Sequence, residues 1–302
     1  MFRFDDFGKN TNVAETICTG KSEMTAVIGS AETETNGMRV GIIANRAKVK
    51  DAGVIAGLAR FLRDRGYETV VFESNEQIDG TDVVIVLGGD GAILHAAEVA
   101  ARKNIKVIGI NYGTLGFLTE YEKEETERVA ELLEKLRGGN CQVLRRTMLE
   151  LRVDGKSYYG LNEVAFQRDY SGSSQIVRLE VFRNGKESGS FVGDGILLST
   201  PTGSTAYSLS AGGALLTPEV PVFMITPVCA FSLNTRAVVF PDTDKFYVKV
   251  TKGRVLLLID GKQVSTLEKD GSAEIVKAPF TADFPVTGDA CFLKKLRAKL
   301  NQ

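Results

Sequence analysis

The segment Asp82-Val83-Val84-Ile85-Val86-Leu87-Gly88-Gly89-Asp90-Gly91 decides how the fold is read. Asp82 to Leu87 is an almost unbroken β-branched run, the pattern of a strand buried on both faces of a parallel sheet. Three glycines and one carboxylate follow, and residues 92–103 then read as a helix. In open parallel sheets, ligands bind outside the carboxyl ends of the strands. The helix that follows offers unpaired N–H groups and a positive end, which suits phosphate. Glycines let the backbone approach a ligand closely. A carboxylate placed there can orient or deprotonate a hydroxyl, or hold a magnesium ion. No Lys-Ser/Thr pair follows, so this is not a Walker loop, and the GxGxxG spacing is absent. Taken alone, these four residues equally describe a tight Gly-Asp-Gly turn.

Working outward, Met38 to Ala44 reads as a buried strand. Residues 49–65 carry Val54, Ile55, Leu58, Phe61 and Leu62 at helical spacing, with Gly66 placed to end the helix. Tyr67–Phe72 and Lys106–Ile110 read as further strands, and 124–137 as a charged amphipathic helix. Alternating strands and helices of this size predict a Rossmann-like parallel-sheet domain over 38–137. After Gly138-Gly139 the pattern changes. The pairs Asp154-Gly155, Asn184-Gly185, Asp260-Gly261 and Asp270-Gly271 supply the positive backbone angles of two-residue hairpin turns. They predict a mostly antiparallel β-rich domain over 138–280. The fold class is therefore α/β plus all-β, with a short basic segment, 281–302, at the end.

Composition narrows the function. With 302 residues, 37 Lys+Arg against 38 Asp+Glu and a net charge of -1, the chain lacks the basic footprint of a nucleic-acid binder. No apolar stretch approaches the ~18 residues of a membrane span. Cys18, Cys141, Cys229 and Cys291 are far apart, with no CxxC and no histidine nearby, which predicts free thiols in a reducing compartment rather than a zinc site. Residues 1–37 hold six acidic residues against three basic and lack an apolar export core. They read as a poorly ordered tail, with Met38 starting the folded part and a cytoplasmic location expected. His95, the only histidine, reads as a structural or partly exposed helix residue.

Three further motifs carry candidate chemistry. Asn111-Tyr112-Gly113-Thr114-Leu115-Gly116-Phe117 is a second glycine loop, on the adjacent strand end, so the two loops suggest a shared cleft. Asn162-Glu163 offers an amide and a carboxylate that could read a base edge or a ribose. Gly193-Asp194-Gly195 leads through a strand into Ser199-Thr200-Pro201-Thr202-Gly203-Ser204-Thr205-Ala206-Tyr207-Ser208. Its hydroxyls suit ribose and phosphate oxygens, and Tyr207 can stack on a base or donate to phosphate.

In this order, the motifs resemble the NAD kinase family over most of residues 38–300. The GGDG segment is Gly88–Gly91, the loop runs from Gly109-Ile110-Asn111 to Gly116-Phe117-Leu118, and the Asn-Glu pair is Asn162-Glu163. The long signature from Gly193 through Tyr207 to Ala211-Gly212-Gly213 is the most specific part, and the ending Leu296-Arg297-Ala298-Lys299-Leu300 is also similar. A lone GGDG would not distinguish the family from diacylglycerol, sphingosine or 6-phosphofructokinases.

The resemblance implies transfer of a phosphoryl group from ATP or polyphosphate to the 2′-hydroxyl of the adenosine ribose of NAD, making NADP. Asp90 would be the catalytic base or orienter, and Gly88 and Gly89 the phosphate loop. Gly91 and Phe117 would line the pocket. Asn162, Glu163, Asp194, Thr205, Ala206, Tyr207 and Ser210 would bind NAD. No protein-only metal site is implied; magnesium is expected with the phosphoryl donor, where it would neutralise phosphoryl charge. A homodimer or homotetramer is implied, with no nucleic-acid or membrane partner and a C-terminal segment not confined to the second domain. The alternatives are another GGDG-type kinase acting on a lipid or sphingoid alcohol, and a non-catalytic NAD(P) sensor. The sequence departs from the family at Ala92, where Thr is usual, and at Ala230-Phe231 and Arg236-Ala237, where Pro-His and Arg-Pro are usual.

Overall fold

The computed structural model describes residues 37–113, 116–171, 176–287 and 292–300. The expected tail before residue 37, Cys18, Cys291, Thr114 and Leu115 lie outside the described residues. β1 (Arg39–Ala44), β2 (Glu68–Phe72), β3 (Val83–Gly88), β4 (Lys106–Asn111) and the short β5 (Tyr121–Glu122) form a parallel sheet in the order β2-β1-β3-β4-β5. All six residues of β3 are buried, as its continuous apolar run requires of a strand covered on both faces.

Helices cover those faces. α1 (Ala52–Arg63) begins where the Asp51 side chain accepts the Gly53 N–H at 2.7 Å, satisfying one of the free donors of the first turn. Its Ile55, Leu58 and Leu62 pack with Val129, Leu132 and Leu133 of α3 (Thr126–Arg137) against one side of the sheet. α2 (Asp90–Arg102) covers the other side with Ile93, Ala96, Ala97 and Ala100. The order of strands reverses direction between β1 and β3, so the chain leaving β3 opens onto the crevice where such sheets bind ligands.

The second domain is a sandwich of two antiparallel sheets. One contains β10 (Lys186–Gly193), β9 (Val177–Arg183), β14 (Phe246–Lys252), β17 (Ser272–Val286), β6 (Gln142–Val153) and β7 (Lys156–Gly160), in that order. The other runs β13 (Val238–Pro241), β12 (Val222–Val228), β11 (Gly195–Ser199), β8 (Glu163–Arg168), β15 (Val255–Ile259) and β16 (Lys262–Leu267). Phe166, Phe223 and Phe246 are fully buried between them; burial of each such ring stabilises by ~1.5–3 kcal/mol.

Three of the four expected hairpin turns have positive φ at both central residues: Asp154 and Gly155, Asn184 and Gly185, Asp260 and Gly261. They join β6 to β7, β9 to β10 and β15 to β16. Asp270-Gly271 is a correction. β16 pairs with β15 while β17 pairs with β14 and β6, so this turn carries the chain from one sheet to the other.

The β6–β17 pair joins the domains. Its register breaks between Lys277 and Thr281. On one side Leu149, Leu151 and Ile275 enter the sandwich core. On the other, Ala278, Ala282 and Phe284 pack with Met148 against the Ile93–Ala100 face of α2. Small side chains on both α2 and β17 let helix and strand approach closely. The expected division at 280–281 therefore falls inside a continuous strand. Finally, α5 (Phe292–Leu300), which follows the single-turn α4 (Tyr207–Ser210), lies against the first domain. Its Lys295 Nζ donates to the Thr119 carbonyl at 3.0 Å and to Glu120 at 2.6 Å. Among the described residues, no helix is long and apolar enough to cross a membrane.

Candidate active site

Asp90 is the first residue of α2, preceded by Gly89, which provides no side-chain cap. Its carboxylate reaches across to the loop after β4, accepting the Phe117 N–H at 2.8 Å and the Leu118 N–H at 3.0 Å. A Cβ at Gly116 would overlap the Asp90 carboxylate, so glycine is needed there for the loop to close around the acid. The two glycine loops singled out in the sequence are thus joined through one carboxylate. Lys299 of α5 places its Nζ 3.7 Å from Asp90 Oδ2 and 4.3 Å from the centre of the Phe117 ring. Phe292 packs beside the same ring, with centroids 6.3 Å apart.

A cleft of about 170 Å³ opens beside Asp90. The sequence-predicted residues Phe117, Asn162, Thr205 and Ala206 line it, together with Arg146 and Lys299. Gly91 is exposed on the first turn of α2, and a Cβ there would meet open space. Gly88 ends β3 and Gly89 is the cap residue before α2. A Cβ at Gly89 or at Gly113 would come within 2.6 Å of the Lys48 ammonium, so this cation sits against both glycine loops.

The sandwich brings the remaining candidates to a different place. Asp194, at the β10–β11 junction, accepts from Arg168 Nη1 at 2.9 Å, and the Tyr170 hydroxyl also bonds to it. Tyr207 stands within electrostatic reach of Asp194 and Glu163; burial first, then these acids and Cys229, push its hydroxyl up. Ser210 is exposed on α4. None of Asp194, Tyr207 and Ser210 lines the cleft beside Asp90.

Glu163 is buried at 6% exposure, and its Oε2 has no hydrogen-bond partner among the described residues. Burial, reinforced by nearby Asp260, pushes its carboxyl up to about 8. It is therefore a proton donor near neutral pH. Asp260 accepts the N–H groups of Leu161, Asn162 and Glu163 at 2.7, 2.8 and 3.1 Å, which fixes the backbone that carries the Asn-Glu pair.

The hydroxyl-rich segment does not present all its hydroxyls to the cleft. Thr200 Oγ1 donates to the Leu161 carbonyl at 2.6 Å and accepts the Gly203 N–H. Ser204 Oγ donates to the Pro201 carbonyl at 2.7 Å and accepts the Leu216 N–H. Ser208 pairs with Thr226 at 2.8 Å. These groups shape the loop.

Arg146 and Lys48 lie outside the sequence motifs, while Lys299 falls in the ending similar to the family and Asp260 in an expected hairpin turn, with no site role read for either from sequence. Arg146 carried a usable signal: it occupies the same alternation as buried Met148 on β6, a charge in an inward register. His95 is exposed on α2. Ala230 and Phe231 belong to a loop that does not line the cleft, and Phe231 is largely exposed.

The model of the ATP-NAD kinase N-terminal domain matches residues 74–138, and that of the C-terminal domain matches residues 161–285. An NAD kinase of Carboxydothermus hydrogenoformans is 38% identical over 239 residues, spanning 77% of this chain and 84% of the relative. The chain belongs to the NAD kinase family. Membership makes it an enzyme, a kinase that phosphorylates NAD, and does not favour the lipid-kinase or sensor alternatives. The fold agrees with that of NAD kinases. A crystal structure of yeast NADH kinase complexed with NADH superposes with a TM-score of 0.76 at 22% identity, covering 89% of this chain and 88% of the other. An NAD kinase from Archaeoglobus fulgidus in complex with ATP gives 0.71 at 24% identity, covering 87% and 98%.

Proposed function

We propose that the acceptor is the 2′-hydroxyl of the adenosine ribose of NAD, that ATP or polyphosphate supplies the phosphoryl group, and that Asp90 takes the proton. The observation that carries this reading is the fixed Asp90 carboxylate, held by two N–H groups at the edge of a cleft lined by Phe117, Asn162, Thr205 and Ala206. The ribose oxygen forms a bond to the terminal phosphorus as the bridging P–O bond to the donor breaks. The hydroxyl proton passes to Asp90, and ADP or the shortened polyphosphate leaves. A carboxylate base contributes ~10²–10⁴-fold, and positioning supplies much of the rest. Asn162 and the protonated Glu163 are assigned to adenosine or ribose, and Asp194, Tyr207 and Ser210 to the farther part of the dinucleotide. On the donor side, Gly89 and Gly113 leave room beside Lys48, whose ammonium has no carboxylate partner among the described residues, and Gly88 keeps the same turn clear of Asn45 and Ala92.

Among the described residues, no group of three or more His, Cys, Asp or Glu is placed to hold a metal ion. Both Asp90 oxygens already accept backbone N–H groups. Each Asp90 oxygen keeps a further lone pair beside its N–H bond, so the carboxylate can still take the hydroxyl proton; magnesium is assigned to the phosphates of the donor, where it would neutralise their charge. A homodimer or homotetramer is proposed from the exposed Phe231 and Leu233 together with the resemblance, and sedimentation of the full chain tests it. A cytoplasmic location is proposed from the free thiols Cys141 and Cys229.

The test is NADP formation by the purified chain from NAD with magnesium and either ATP or polyphosphate. Activity with one donor names it. Asp90→Asn is expected to remove most turnover while leaving NAD binding largely intact. Near-normal activity in that variant would take Asp90 out of the catalytic role.

A further inference from the structure

Arg146 is a buried ionic group in the wall of the cleft with no carboxylate partner among the described residues. Its side chain hangs from β6 into the wall of the cleft that Asp90 lines, and the residue is only 6% exposed. Nη1 donates to Thr202 Oγ1 at 3.2 Å, and the Phe284 ring lies 5.2 Å from the guanidinium carbon. Nε has no hydrogen-bond partner among the described residues. No carboxylate of the described residues reaches ion-pair distance; Glu120, Glu219 and Asp90 act on it only electrostatically from farther away. Glu120 is itself bound to Lys295.

A buried charge without a counter-ion is among the most costly arrangements in a protein interior. Guanidinium cannot shed its proton to escape that cost. Its planar set of donors instead matches phosphate, and a positive group fixed beside a transferring phosphoryl lowers the barrier as charge spreads over the equatorial oxygens. The reaction brings an anion to this guanidinium, because the phosphorus must come within bonding distance of the hydroxyl assigned to Asp90.

We propose that Arg146 binds the phosphoryl group during its transfer and then retains it as the 2′-phosphate of the product. This rests on the assignment of Asp90 to the acceptor hydroxyl. It makes Arg146 the residue by which the cleft tells NADP from NAD. The competing account is structural: Arg146 serves only to hold Thr202 and the loop around it.

The experiment compares wild type, Arg146→Met and Arg146→Lys by calorimetric binding of NAD and of NADP, by steady-state kinetics and by thermal melting. Arg146→Met is expected to weaken NADP binding at least tenfold more than NAD binding. Its kcat should fall ~10³-fold with little change in the KM for NAD, and added methylguanidinium should restore part of the rate. Arg146→Lys keeps the charge and decides the matter should the Met variant fail to fold. It should show the same selective loss of NADP affinity, to a smaller degree. Equal weakening of NAD and NADP, or an unchanged kcat, would overturn the proposal. A wild-type protein that binds NAD but forms no NADP would instead defeat the reading of Asp90, which separates the two failures.

Discussion

The two sides of the cleft treat their polar groups in opposite ways. On the parallel-sheet side, Asp90 is held by backbone N–H groups that fix its position while its side chain remains about 30% exposed to the cleft. Lys48 and Lys299 are likewise directed at the strand exits. On the sandwich side, Thr200, Ser204 and Ser208 are buried, and their hydroxyls close on their own loop and its neighbours. One side offers chemistry, and the other offers a rigid wall. The difference follows from the folds. Parallel strands end in helix N-termini with free donors, whereas a buried irregular loop must satisfy its own backbone before it can serve a ligand.

The largest effect expected from this contrast is at Gly116. In Gly116→Ala the new methyl would overlap Asp90 Oδ1 and stand 2.8 Å from its Cγ and 3.0 Å from Thr119 Oγ1. Either the loop or the carboxylate must move. A misplacement of this kind is expected to lower kcat ~10²-fold, with NAD affinity and melting temperature little altered. Steady-state kinetics beside a binding isotherm would read this, and an unimpaired kcat would show that the fixed position of Asp90 does not matter.

On the opposite wall, Thr200→Val should do the reverse. Removal of Oγ1 leaves the Leu161 carbonyl and the Gly203 N–H without their partner in a buried site, a loss of ~1–3 kcal/mol of stability. Chemical denaturation should show it, while the folded fraction turns over at nearly the wild-type rate. A large fall in kcat without loss of stability would mean that this hydroxyl contacts substrate, and the contrast between the two walls would fail.

These opposite behaviours explain what could be read from the sequence. The run from Val83 to Leu87 admits one environment, a strand covered on both faces, and a Gly-Asp-Gly exit at such a strand is informative. The Asp154-Gly155, Asn184-Gly185 and Asp260-Gly261 turns are local, since their backbone angles belong to the pair itself. Asp270-Gly271 has the same chemistry but joins different sheets, because strand pairing is settled by contacts far along the chain. The hydroxyls of Thr200 and Ser204 look like ligand groups in sequence. Only tertiary structure gives them the Leu161 and Pro201 carbonyls. Lys299 lies 209 residues after Asp90, and no spacing rule brings the two together.

The smallest and most specific test concerns a carboxyl on the sandwich side, next in sequence to Asn162 of the cleft lining. Glu163 begins a sandwich strand and is buried like the hydroxyls, yet one of its oxygens remains unpaired, like a group kept for a ligand. Its folded-state value of about 8 lies above the ordinary 4.5, so between these limits the folded chain binds more protons than the unfolded one. Its contribution to stability is thus fully present at low pH and is lost as pH rises through about 8. The slope reaches roughly 1.4 kcal/mol per pH unit at its steepest. Asp260 is raised in the same direction by burial, so the quantity to measure is the difference between wild type and Glu163→Gln. Gln keeps the shape and a hydrogen-bond donor but cannot ionise. The variant should therefore bind NAD nearly as well as wild type at pH 6 and hold that affinity at pH 9, where wild type weakens. Parallel pH profiles with wild type binding more weakly than Glu163→Gln throughout would mean that Glu163 stays ionised in its buried site, and the proton-donating role assigned to it toward the nucleoside would have to be given up.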